Sequence, residues 1–506
     1  MTSQRAVALL EARIDALRPI IWLETADPVE ADVVVAAVVA AGSFSLECWD
    51  CAGGRVHPSV GTSLDDVPLA EFLGRFDLED WQKRTLIVVR DLDAFIAEPR
   101  VVALLRTLAV RAVQRATFNV TIVVIASTLR IPAELEKLIT ILPLPGLDDS
   151  EVSDAIHEFA SAHGCSVTPT LTAELVLMLR GLTRFEVGQI LALAYEDGGV
   201  LDDRCKAIVV EEKRQAIRKS GLLDLIDANF GFASVGGLDA LRDYLKGKGA
   251  VFKRLPAALA AGVDIPKGIL VVGMPGCGKS MIAKATAHLF GLPLLRLDVG
   301  RLLGKYVGES EENLRRAIRV TESVSPCVLW IDEVEKAFAG AVGDDGGGVA
   351  ARMFGFFLTW LQEKTSTVYV VATANAVKKI PPEFQRKGRF DEVFFVDFPS
   401  AQECREICEI HLEKRRQRCA PELDLGTVSK QMARRRFSGA EIEAVIKDAV
   451  EHAFLADRRL DREIFNHMML NTKTVSEVRE PDIKEMREML EKSGFRPATR
   501  PVLASP

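Results

Sequence analysis

Short uninterrupted apolar runs punctuate the chain: "PIIWLE" (19–24), "TLIVV" (85–89), "NVTIVVIA" (119–126), "GILVV" (268–272), "CVLWI" (327–331) and "TVYVVATA" (367–374). Rich in β-branched residues and no longer than a strand, they predict sheets buried on both faces. Between them lie longer stretches with helical period, such as "DVVVAAVVAAG" (32–42), "SMIAKATAHLF" (280–290) and "AEIEAVIKDAVEHA" (440–453). Strand–helix alternation of this kind predicts an α/β fold built on parallel sheets.

The pattern occurs twice in the same order. "RPIIWLETADPVEADVVVAAVVAAG" (18–42) lays out strand, turn and helix as "KGILVVGMPGCGKSMIAKATAHLFG" (267–291) does. "TLIVVRDLDAFI" (85–96) stands where "CVLWIDEVEKAF" (327–338) stands. "LVLMLRGLTRFEVGQILALAYEDG" (175–198) parallels "QMARRRFSGAEIEAVIKDAVEHA" (431–453). Each half is thus expected to carry a sheet followed by a helical segment. The first half is either a degenerate copy of the second or an unrelated α/β domain with the same alternation.

Composition narrows the class only modestly. At 506 residues the chain is too long for one core. A net charge of −7 argues against a general nucleic-acid binder. The basic clusters "EKRRQR" (413–418) and "ARRRF" (433–437) read as solvated helix faces or subunit contacts. The N-terminus lacks the continuous apolar core of a signal peptide, and "DVVVAAVVAAG" falls short of the roughly 20 residues of a spanning helix. Nine irregularly spaced cysteines read as reduced thiols, so a cytoplasmic protein without a membrane partner is expected. Cys48 and Cys51 form a lone C-x-x-C around Trp49, which reads as strand packing.

The second half alone carries chemistry. Gly273, Met274, Pro275, Gly276, Cys277, Gly278, Lys279 and Ser280 fit G-x-x-x-x-G-K-[ST] between a strand, Ile269 to Val272, and a helix opening at Ser280. Glycine backbone N–H groups and a helix N-terminus there can wrap a phosphate, with Lys279 on the outer phosphates of ATP and Ser280 on Mg²⁺. Met281 follows in the first helical turn. The strand Val328 to Ile331 delivers Asp332, suited to the Mg²⁺ shell, and Glu333, suited to polarising the attacking water. A third strand ends in Asn375, an amide able to orient that water, and "IPPEFQRKGRFDEVFF" (380–395) brings Arg386 and Arg389. The first half repeats none of this: "ETADPVEAD" (24–32) has neither glycine nor lysine, Arg90 and Asp91 replace the two acids, and Arg130 is a basic remnant out of place. That half is expected to bind no nucleotide.

In this order the segments resemble the AAA ATPase module over roughly 228–460. The resemblance implies a P-loop NTPase sheet with a helical lid, preceded by a degenerate AAA-like module with its own lid. It sets Val235, Gly236 and Gly237 of "FASVGGLDAL" beside the adenine, and Gly439 and Ala440 of the lid near the nucleotide. By that resemblance Arg386 and Arg389 become fingers reaching a neighbouring subunit's γ-phosphate, which implies a homo-oligomeric ring, expected to be a hexamer. Tyr306, Val307 and Gly308 match the family's pore loop that grips an extended polypeptide, or form a plain surface loop. "GAVGDDGGGVAAR" (340–352) matches a second pore loop or is a flexible linker. Two positions depart from the usual pattern. Cys277 replaces threonine as a passive filler or an oxidisable thiol, and Lys387 replaces proline between finger and glycine.

Over nearly its whole length the chain resembles an AAA subfamily encoded in cyanobacteria and algal chloroplast genomes. The expected division is 1–160 degenerate α/β domain, 161–227 lid-like segment and linker, 228–400 ATPase α/β domain, 401–490 lid, and 491–506 an extended or disordered tail. A Mg²⁺-dependent ring ATPase that remodels or threads a protein substrate is the reading these residues favour. An activase or an assembly scaffold acting on a folded partner is the alternative, and a nucleic-acid motor is disfavoured by charge.

Overall fold

A computed structural model describes residues 3–25, 27–42, 44–57, 62–77, 81, 83–114, 119–127, 129–144, 146–196, 199–227, 230–302, 309–337, 348–375, 388–417 and 423–500. The chain divides into two compact units, 1–212 and 213–506.

The first unit holds β1 (Ile20–Glu24), β2 (Ser45–Asp50), β3 (Gly54–Val56), β4 (Ser63–Asp65), β5 (Thr85–Arg90), β6 (Val120–Ala126) and β7 (Ile139–Pro143), in the order β4-β3-β2-β5-β6-β1-β7. The second holds β8 (Leu223–Ile226), β9 (Gly268–Gly273), β10 (Leu294–Leu297), β11 (Cys327–Ile331), β12 (Val368–Ala374), β13 (Glu392–Val396) and β14 (Arg496–Pro497), ordered β14-β13-β9-β12-β11-β10-β8. Five parallel strands form the body of each sheet, β7-β1-β6-β5-β2 and β13-β9-β12-β11-β10, and β14 extends the second in parallel beyond β13. Counted along the chain, both run fifth, first, fourth, third, second. Shared strand order is what a degenerate copy predicts, and it extends the likeness seen in the sequence. The edges differ: β3 and β4 add antiparallel strands to the first sheet, and β8 adds one to the second.

Both sheets are covered on two faces, as their apolar runs require. Along β1, Ile20 and Trp22 enter one core while Ile21 and Leu23 enter the other. Along β9, Ile269 and Val271 alternate with Leu270 and Val272 in the same way. Each sheet is followed by a helical bundle with its own core. In the first unit this comprises Asp149–Ala162, Pro169–Leu179 and Arg184–Glu196. In the second it comprises Ala401–Lys414, Leu425–Arg434, Gly439–Leu455 and Arg462–Asn471. Helix Gly439–Leu455 buries Ile442, Val445, Ile446, Ala449 and Ala453, a stripe of helical spacing. Ser438 and Glu441 close a capping box at its start. Thr183 and Glu186 make the same reciprocal contacts ahead of Arg184–Glu196.

One segment differs from expectation, and the tail takes one of its two expected forms. Leu223–Ile226, inside the stretch expected to be lid and linker, pairs antiparallel with β10 because its alternating "LDLI" fits a sheet edge. Of the two readings of the tail, extended or disordered, its described part after Gly494 takes the extended one. Helix Glu480–Ser493 ends at Gly494, and β14 then pairs with β13. Beyond it, Ala498 is buried and exchanges backbone hydrogen bonds with Phe395 and Leu241. The tail lacks apolar periodicity because main-chain pairing to an existing sheet orders it.

Candidate functional site

β9 ends at Gly273, and the chain turns through Met274–Gly278 into helix Lys279–Phe290. Gly276 and Gly278 sit at φ 76° and 82°, where a side chain is strained. Gly278 caps the helix without any side-chain hydrogen bond, so the first N–H groups stay open to an anion. Lys279 is buried, and its Nζ donates to the carbonyls of Gly273 (2.9 Å) and Met274 (2.6 Å). Burial pushes this ammonium down from 10.5 to about 8.

The acids converge from β11. Asp332 accepts from Thr373 Oγ1 at 2.5 Å and from Ser280 Oγ at 3.4 Å. These hydroxyl and carboxylate oxygens form a donor set suited to a hard cation such as Mg²⁺. Glu333 lies at φ 50°, a strained conformation for a side-chain-bearing residue. Its N–H donates to Thr373 Oγ1 (3.1 Å), Asn375 Nδ2 donates to its Oε1 (2.8 Å), and Lys336 Nζ donates to its Oε2 (2.6 Å). The Asn375 N–H in turn donates to Glu335 Oε1 at 2.8 Å, and burial raises the Glu335 carboxyl. Thr373 is the residue that sequence reading misses. Two positions before Asn375, it shares that residue's sheet face, so strand alternation could have found it.

Around these groups lies a cavity of about 330 Å³. Val235, Gly236, Pro275, Gly276, Cys277, Gly278, Lys279, Ser280, Met281, Asp332, Glu333, Asn375, Gly439 and Ala440 all line it, whereas Gly237 does not. Asp397, Glu403, Ile407, Ile410 and His411, which no local sequence signal ties to a nucleotide, also line it. The lid closes directly on the loop: the Ala440 N–H donates to the Gly276 carbonyl at 3.0 Å. A Cβ on Gly276 would meet Ser438 Oγ at 2.8 Å, so this approach also requires glycine. Burial pushes the Cys277 thiol up to about 12, which keeps it protonated and supports the filler reading. Arg389 lies outside the cavity, in the turn before β13. Arg386, Tyr306, Val307 and Gly308 lie outside the described residues, as does most of 340–352.

The counterpart position in the first unit is filled from within. A short turn after β1 leads to helix Pro28–Gly42, and Asp27 Oδ1 accepts from the Val29 and Glu30 N–H groups at 3.0 and 3.1 Å. A carboxylate therefore sits at the helix N-terminus that the second unit leaves open. Arg184, at the position of Gly439 after the shared capping box, donates through Nε to buried Glu30 at 2.8 Å. Arg90 occupies the place of Asp332 and pairs with Asp32 at 2.6 Å. Asp91 keeps the backbone of Glu333, at φ 57°. The strained turn persists without its chemistry.

A glycine loop opening a helix, paired acids on a nearby strand and a helical lid define a P-loop ATPase. The profile of the ATPase family associated with various cellular activities (AAA) matches residues 269–398. Profiles of the SpoVK-like AAA ATPase N-terminal and second domains match 6–144 and 150–220. The uncharacterized AAA domain-containing protein ycf46 of Guillardia theta is 37% identical over 89% of this chain and 87% of its own. Its namesake from Pyropia yezoensis is 35% identical over 88% and 89%. Cell division control protein 48 homolog C of Arabidopsis thaliana is 34% identical over 43% of this chain and 26% of its own. The chain belongs to the AAA ATPase family, and its activity is ATP hydrolysis. None of the described helices is long and apolar enough to cross a membrane.

Lys279 gives a pH prediction for the nucleotide-free protein. The unfolded chain holds this proton to 10.5, whereas the folded one releases it near 8. The penalty of burying the charge is thus full below about pH 8 and relieved as pH rises toward 10.5, so this contribution to stability increases across that window. Relative to Lys279→Met, the wild type should gain about 3 kcal/mol between those limits. Paired denaturant titrations at several pH values measure it, and a pH-independent difference refutes it.

Proposed function

We propose that the chain is a Mg²⁺-dependent ATPase that assembles into a hexameric ring and uses hydrolysis to remodel or thread a protein substrate. Ser280 and Asp332 would hold the metal, which supplies charge neutralisation at the phosphates. Lys279 and the open helix N-terminus bind the phosphates, Val235, Gly236 and the lid enclose the base, and Glu333 with Asn375 polarises and orients water.

One observation carries the ring. β13 runs parallel to β9, with Glu392 beside Ile269 and Val396 beside Gly273. Arg389 therefore precedes the strand at the sheet edge opposite its own phosphate loop, about 16 Å away along a five-residue strand. From there Arg389, with Arg386, is suited to serve another subunit's nucleotide. The first unit, with Asp27 and Arg184 occupying its counterpart site, acts as a nucleotide-independent adaptor or scaffold.

Threading rests on Tyr306, Val307 and Gly308. Replacing Tyr306 with alanine should abolish substrate unfolding, read with a destabilised fluorescent protein fused to candidate substrates, while ATPase activity stays within about twofold. Equal loss of both activities would contradict a gripping role. Retained remodelling would favour the activase or scaffold alternative.

A further inference from the structure

Helix Glu480–Ser493 and the chain that follows it to Arg500 lie outside the matched AAA region, yet they bond twice to side chains that line the nucleotide cavity. Arg487 donates to both oxygens of Asp397 at 2.8 Å. Thr499 Oγ1 donates to Glu403 Oε1 at 2.6 Å. Asp397 and Glu403 both line the cavity, and they stand on opposite sides of the connection between them. Asp397 follows β13 of the ATPase sheet, and Glu403 lies in the first turn of the first lid helix, Ala401–Lys414. Residues 398–400 between them join the ATPase sheet to the first lid helix, so any turning of the lid to admit or release nucleotide would hinge there.

Glu403 is more than a surface anchor. It is buried, its Oε2 accepts from the Ser400 N–H (2.9 Å) in the capping box, and its Oε1 also accepts from the Leu238 N–H (3.3 Å). Thr499 thus grips the carboxylate that ties the lid helix to the turn beside the adenine wall. The segment is itself fixed to the sheet. Ile483 and Ala498 are buried in one core, Met486 and Met489 pack against the other, and the Ala498 N–H donates to the Phe395 carbonyl at 2.8 Å. Arg500 completes the attachment, its N–H donating to Asp239 at 2.9 Å.

We propose that residues 480–500 form a strap across the lid hinge, with Arg487 and Thr499 as positioning residues that set how long nucleotide stays bound. This rests on the ATP cavity alone and is independent of ring formation or threading. The strap holds the two flanks of the hinge at fixed separation, so lid opening must part the Thr499–Glu403 hydrogen bond or strain the Arg487–Asp397 pair.

The test uses the full chain carrying Thr499→Val, which keeps shape and removes the hydroxyl, alone and with Arg487→Ala. Stopped-flow release of a fluorescent ADP analogue should accelerate about tenfold in the single variant, the scale of one charge-assisted hydrogen bond, and further in the double. The KM for ATP should rise while kcat is unchanged or higher. Thr499→Ser should restore wild-type release, which a packing defect at this position would not permit. Release within twofold of wild type in Thr499→Val, in protein with an unaltered unfolding midpoint, overturns the strap. A wild-type chain that fails to bind the analogue overturns the cavity assignment with it.

Discussion

Arg389→Ala should lower steady-state ATP hydrolysis by about 10³-fold or more, the range for loss of an arginine finger. In activation free energy that is at least about 4 kcal/mol. The variant's own cavity is untouched, because Arg389 lies at the far sheet edge and lines none of it. Nucleotide affinity should therefore stay close to wild type, separating this variant from one that damages the phosphate loop. Mixing gives the sharper reading. A chain with Arg389→Ala keeps an intact site and lacks the finger, whereas a chain with Glu333→Gln lacks the base and keeps the finger. Each alone is inactive. Combined in equal amounts, an intact site meets an intact finger at roughly a quarter of interfaces by random mixing in a closed ring. Hydrolysis should recover to that fraction. No recovery, in samples shown to contain mixed oligomers, would refute service in trans; near-normal turnover by Arg389→Ala alone would remove the finger itself.

The parts of this protein legible in its sequence are those that local physics writes locally. Strands such as Cys327–Ile331 and Val368–Ala374 are fully buried, so they must be apolar without interruption, and their runs announce them. The phosphate loop is legible because Gly276 and Gly278 adopt backbone conformations that other residues resist. The short edge strands are harder. Leu223–Ile226 and Arg496–Pro497 owe their conformation to a partner strand, and "RP" has no strand signal of its own. Contacts between distant segments are harder still. Arg184 and Glu30 are 154 residues apart, and nothing near either announces the other. Glu403 reads as an ordinary helix-capping acid until Thr499 and Leu238 are seen on it. Asp91 shows the same limit from the other side. The sequence reveals that the acid pair of the second half is missing there, while the backbone of Asp91 adopts the same left-handed turn as Glu333.

Glu333→Gln should reduce hydrolysis by about 10²–10⁴-fold, the range for loss of a general base, and leave ATP bound. The substitution is nearly isosteric, so the strained φ of 50° and the N–H bond to Thr373 need not change. What changes is the head group. The carboxylate accepts from Asn375 on Oε1 at 2.8 Å and from Lys336 on Oε2 at 2.6 Å, and an amide presents an acceptor at only one of those two positions. It also cannot take a proton from water. Ser280, Asp332 and Lys279 are untouched, so the cradle for the phosphates remains. The variant should therefore hold ATP long enough to display the proposed ATP-dependent assembly, and light scattering with and without Mg²⁺-ATP would read its mass. A ring-sized particle that forms on ATP addition, with hydrolysis nearly abolished, is the expected result. A particle that stays monomeric at saturating ATP would remove the structural basis for a finger in trans, and Arg389 would need another role.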